Sequence, residues 1–150
     1  MKTGTGLLCA TLAGILAACA SPGGDSGDSR TLNVPLQPGQ QNIGAVAQAT
    51  LIARGEVTDV RIFLSGPLPL GVSRTPQLFA FIYPGTCARP GPQPAFAINS
   101  PLTSFAEIGG WRLVRTAAAP LDTLRDGNHS IVVRTSPQDR NIDLFCGDIR

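Results

Sequence analysis

Four cysteines and one histidine set the limits on what chemistry this 150-residue chain can perform. Imidazole is the usual base of a nucleophilic triad and the usual nitrogen ligand for copper or zinc. His129, in the turn before SIVVR (130–134), has no second imidazole with which to share a metal and no nucleophile or acid at local spacing. It reads as a solvated turn residue. Asp122 and Asp126 could pair for acid–base work, but they flank a single helical turn after Pro120 and read as turn and capping residues. The chain has no Gly-rich phosphate loop, no G-x-S-x-G elbow and no Cys-x-x-Cys pair. What remains is FIYPGTC (81–87), in which Phe81 and Tyr83 alternate about an isoleucine and a Pro-Gly turn leads to Cys87.

Those residues are carried by strands. TLNVPL (31–36), AVAQATLIAR (45–54), VTDVRIFL (57–64), QLFAFIY (77–83), WRLVR (111–115), SIVVR (130–134) and IDLFC (142–146) are short, β-branched or aromatic, and separated by Gly, Pro, Asn or Asp turns. This pattern predicts an all-β, antiparallel sandwich or flattened barrel. Period-two alternation puts Ile131 and Val133 on one side and Ser130, Val132 and Arg134 on the other. The one candidate helix is a turn at Leu121 to Leu124, and Trp111 after Gly109-Gly110 reads as a core anchor at a strand start. Between Cys87 and Trp111 runs a Pro-rich connection, ARPGPQPAFAINSPLTSFAEIGG, read as a long irregular loop clamped at its start.

The N-terminus has a different character. Residues 1–18 carry Lys2, an apolar run from Leu7 and small residues leading to Cys19, which is the layout of a secretory signal and is too short to span a bilayer. Leu16-Ala17-Ala18-Cys19 resembles the lipobox of bacterial lipoproteins. The resemblance implies that Cys19 becomes the lipidated mature N-terminus, with 19–30 as a flexible Gly/Ser tether and 31–150 as the folded domain. Ala20 and Ser21, rather than Asp, follow the cysteine, which implies outer-membrane sorting in a Gram-negative cell envelope, facing the periplasm. Cys9 lies in the discarded run and Cys19 takes lipid, so Cys87 and Cys146 remain as a disulfide pair in an oxidising compartment; two separate thiols or a metal pair are the alternatives. From Thr31 onward there are ten arginines and eight acids. That balance gives no footprint for nucleic acid and no polybasic membrane patch.

FIYPGTC, SIVVR and LFCGDI, in that order, resemble the copper/zinc superoxide dismutase-like sandwiches and their secreted bacterial relatives over about residues 43–149. The resemblance implies a Greek-key fold with Cys87 and Cys146 in the two half-cystine places. It also implies that Phe81 and Tyr83 stand where a His-x-His pair would be, Gln93 at the loop-histidine place and Arg134 at the late copper-ligand place. A benzene ring has no lone pair and a guanidinium stays protonated, so these residues cannot assemble a copper site. The expectation is a non-enzymatic, lipid-anchored module with no cofactor and no metal. Phe81, Tyr83, Gln93 and Arg134 form a candidate binding patch for an envelope partner, and the alternative is a dismutase-like metal protein with other ligands.

Overall fold

A computed structural model describes Met1 and residues 30–72, 76–99 and 104–150. The signal, Cys9, Cys19 and the tether up to residue 29 lie outside the described residues. Among the described residues, ten strands and one short α-helix follow in order, with single 3-10 turns at Gln40–Asn42 and Pro137–Asp139: β1 (Thr31–Pro38), β2 (Val46–Arg54), β3 (Val57–Ser65), β4 (Leu78–Thr86), β5 (Arg89–Pro90), β6 (Phe96–Ala97), β7 (Ser104–Glu107), β8 (Gly110–Ala117), α1 (Leu121–Asp126), β9 (His129–Thr135) and β10 (Asp143–Ile149). Each of the seven segments expected from alternation forms a strand, and the helical turn forms where Pro120 and the two leucines place it. All pairings are antiparallel, in the order β5-β4-β9-β10-β1-β2-β3-β8-β7, with β6 also on β4. The meander β1–β2–β3 is followed by a crossover to β4, and α1 lies on the crossover from β8 to β9.

The sheet curls around one core. Val34, Leu51, Ile62 and Leu113 face Leu78, Ile82, Ile131, Val133 and Phe145, all buried, because period two turns one side of every strand inward. Leu121 and Leu124 of α1 join that core from one end. Trp111, at the second position of β8, is half-buried against it. At the corner between β1 and β10 the backbones come so close that a Cβ on Gly147 would lie 2.7 Å from the Pro35 carbonyl oxygen and 2.5 Å from Leu36 Cδ2. Only glycine fits that crossing.

Two expectations are corrected here. The connection after Cys87 is not irregular throughout, since it contributes β5, β6 and β7. Asp122 does not cap α1: the N-cap position is Pro120 and no side chain bonds there, while Asp122 pairs instead with Arg125 one turn on.

No ladder among the described residues joins β4 to β7, so the barrel stays open there, and the flank of β4 away from β9 is completed by the short strands β5 and β6 and by single side chains. The Asn99 carboxamide accepts from Ala80 N–H at 2.8 Å and donates to Ala80 C=O at 2.9 Å, as a paired strand would. Arg115 on β8, only 3% exposed, donates to Leu78 C=O across the opening at 3.0 Å. Burial pushes its guanidinium pKa down, although an arginine remains charged at any ordinary pH. Asn99→Ala is expected to cost about 2 kcal/mol, the loss of two part-buried hydrogen bonds, read from the urea midpoint. Asn99→Asp, which keeps the acceptor but loses the donor, should not restore wild-type stability.

Candidate functional site

The face of β4, β9 and β10 that points away from the core gathers Phe81, Tyr83 and Arg134. Because Leu78, Ala80 and Ile82 point inward, Phe79, Phe81 and Tyr83 point outward. Register then builds three rows across the strands: Tyr83, Ser130 and Asp148; Phe81, Val132 and Cys146; Phe79 and Arg134, with Asp143 beyond a bulge in β10. Phe79 and Phe81 lie 6.4 Å apart with nearly parallel rings, and Phe81 and Tyr83 6.2 Å apart and tilted. The three rings form a ladder along one strand.

Arg134 crosses this ladder. Its guanidinium carbon sits 5.5 Å from the Phe81 ring centre, within cation–π range, while Nε donates to Asp143. The Asp143 hydrogen bond, helped by the charge of Asp143, raises the guanidinium pKa above its usual value despite partial burial. Phe81, Tyr83 and Arg134 therefore converge, as expected. Gln93 does not join them; it is an exposed side chain of the segment between β5 and β6.

The disulfide lies on the same face. Cys87, just after β4, is bonded to Cys146 of β10. Cys87 N–H also donates to Asp148 Oδ1 at 2.7 Å, and Asp148 Oδ2 meets Arg150 at 3.4 Å. The start of the Pro-rich connection is thus fixed to the last strand twice, once covalently and once by a charge-assisted hydrogen bond. Ser130, an outward-facing residue by register, is fully buried on this face. A cleft of about 500 Å³ beside the disulfide is lined by Asn33, Gln37, Cys146, Asp148 and Arg150 among others.

His129 is corrected from a solvated turn residue to a packed one. It opens β9, its Nδ1 donates to Leu124 C=O at 3.1 Å, and its ring lies 6.1 Å from that of Phe96. It braces α1 against β9 and stands apart from the aromatic ladder. Among the described residues no three His, Cys, Asp or Glu side chains cluster as metal ligands. The donor set of the ladder, two phenyl rings, a phenol and an ion-paired guanidinium, does not fit copper or zinc. The arrangement can stack flat apolar or cationic groups and donate hydrogen bonds at its edges. Asp143, Asp148 and Asn99 carry no local signal as partners; each acts across a sequence separation that local pattern does not reveal.

Comparison of the chain with protein-family models, with curated proteins and with solved structures found no match in any of the three. Among the described residues, no helix is long and apolar enough to cross a membrane.

The disulfide closes a loop with a sequence separation of 59. Replacing both cysteines by serine is expected to cost about 4 kcal/mol in the chain-entropy account, measured by chemical denaturation without reductant. For the ladder, a double-mutant cycle between Arg134→Ala and Phe81→Leu should return a coupling of about 0.5–1 kcal/mol. A coupling of zero would mean that guanidinium and ring are neighbours without attraction.

Proposed function

We propose that the chain is a lipid-anchored lipoprotein of the bacterial cell envelope, sorted to the outer membrane, whose superoxide dismutase-like β-sandwich serves as a non-catalytic structural or binding module. The observation that carries this reading is the composition of the outer face of β4 and β9: Phe81, Tyr83 and Arg134, which the sequence resemblance would align with imidazole places, are held together by ring contacts and an ion pair and offer no metal donor. The lipobox-like Leu16-Ala17-Ala18-Cys19 supports the anchor. The cross-link from the end of β4 to the Cys-Gly segment of β10 supports the likeness of fold. A half-buried, rigid aromatic surface is suited to packing a partner, since rings supply contact area at low entropic cost.

The test combines anchor and chemistry in the intact chain. Labelled palmitate supplied to a Gram-negative host should be incorporated, and Cys19→Ser should abolish incorporation. The purified protein should hold no stoichiometric copper or zinc and should not dismutate superoxide after loading with both metals. One firmly bound copper per chain with dismutation would establish the metalloenzyme alternative. Absence of label would remove the anchor and leave the reading of the domain intact.

A further inference from the structure

The turns at the two ends of the barrel differ in kind. The row Val46, Ser65 and Gly110 marks one end of the sheet; the chain enters at the other, where Arg30 C=O accepts from Ala53 N–H. At the entry end the turns present Arg54, Glu56, Asp126 and Asn128, the polar residues that turns favour. At the far end three separate turns expose a large aliphatic side chain: Ile43 at 77%, Leu70 at 95% and Ile108 at 104% of full exposure. Each immediately precedes a glycine at positive φ, 91° for Gly44, 83° for Gly71 and 82° for Gly109, so the chain reverses beside the aliphatic residue. Turn chemistry gives no reason for Ile or Leu at these positions.

The three turns belong together. Ser65 Oγ donates to Gly109 C=O, which ties the Ile108 turn to the end of β3, and Gly66 packs against the backbone of Ala45, two residues past Ile43. Leu70 follows on the same crossover, its carbonyl accepting from Arg140 at 2.7 Å. Val46 and Phe63 add exposed apolar surface behind them. Apart from Met1 and Val114, every exposed large apolar side chain among the described residues lies at this end.

We propose that Ile43, Leu70 and Ile108 insert into the surface of an anionic phospholipid bilayer. Single aliphatic side chains on separate, convex turns do not make the flat, close-packed area of roughly 800 Å² per partner that a stable protein interface needs, whereas the fluid boundary between headgroups and acyl chains accepts them. Charge agrees with this occupant. Exposed Arg140 stands in the neighbouring β9–β10 turn, and exposed Arg61 and Arg112 lie further back on β3 and β8. Of the acidic residues nearby, Asp139 is buried, Asp143 is paired with Arg134, and Glu107 directly precedes Ile108 in sequence. Anionic headgroups would meet the arginines as the apices enter. The tether enters at the opposite end, roughly 23 Å away along seven strand residues. Residues 20–30 span roughly 36–40 Å when extended, so one bilayer can receive both the lipid and the apices. The insertion does not require the anchor.

The experiment uses the full chain with Trp111→Phe to silence the native fluorophore and Ile108→Trp as the reporter, beside Glu56→Trp as the reporter for the entry end. Each is mixed with phosphatidylglycerol/phosphatidylethanolamine vesicles bearing brominated acyl chains, with and without Cys19→Ser. The Ile108→Trp emission should shift to the blue and be quenched by bromine, and the Glu56→Trp emission should do neither. Ile43→Asp combined with Leu70→Asp, at exposed positions that leave the denaturation midpoint unchanged, should weaken vesicle binding of the Cys19→Ser chain at least tenfold, and pure phosphatidylcholine should weaken it too. Water-like, unquenched Ile108→Trp emission on anionic vesicles would overturn the proposal. So would a blue shift that grows with protein concentration in the absence of vesicles and ignores bromine, because that outcome assigns the apices to a second copy of the chain. Retained quenching in Cys19→Ser, with palmitate labelling lost, separates this inference from the anchor.

Discussion

The flank of β4 that faces away from β9 is the constraint on which the rest of the structure depends. A strand next to an open seam must still satisfy its backbone groups, and here alternate residues do so one by one. Leu78 C=O accepts from Arg115, Ala80 is paired on both groups by Asn99, Ile82 C=O accepts from Ala95 N–H at 2.8 Å, and Pro84 C=O accepts from Gly91 N–H at 2.7 Å. The Pro-rich connection therefore runs beside β4 as an irregular edge strand. Its prolines, Pro90, Pro92 and Pro94, alternate with the donors Gly91 and Ala95, so they fall where an N–H would point away from β4. Prolines on this stretch remove N–H groups with which another strand could pair, which limits edge-to-edge association. The clamp on Cys87 holds that edge in register at its start, and Asn99 holds it near its end.

Much of this was legible in the sequence, and the illegible part has one physical cause. Alternation in SIVVR and QLFAFIY gives strands, faces and the convergence of Phe81, Tyr83 and Arg134, because period two is a local property. The cysteine pair is legible because Cys87 and Cys146 are the two cysteines of the strand-forming segment. Groups that act across the opening are not legible. In WRLVR the register puts Arg115 on the face of Leu113 and Ala117, all buried, yet an arginine on an apolar stripe reads as pointing outward until its carbonyl acceptor on β4 is known. Asn99 and the donors of the Pro-rich segment fail for the same reason: prolines and polar residues read as a loop when the strand they serve lies elsewhere in the chain. His129 reads as solvated because Leu124 C=O and the Phe96 ring reach it only through the placement of α1 and β6.

The outer face of β4, β9 and β10 shows how such a surface can be kept ordered by groups other than a metal. Ligand side chains in a metal site are oriented by coordination, and the binding energy contributes to folding. Here the same work is divided. Ring contacts along β4 fix the aromatic side chains relative to one another, Asp143 fixes the guanidinium of Arg134 over Phe81, and the disulfide with Asp148 secures the segment after β4. Each contribution is small or moderate by itself, since a partly exposed ion pair is worth at most about 1 kcal/mol and a cation–π contact about the same. The covalent link is the largest single term. A face stabilised in this way presents shape and ring surface with one neutralised charge pair. On the proposed reading, that is the physical difference between a domain that turns over a substrate and one that presents a rigid wall.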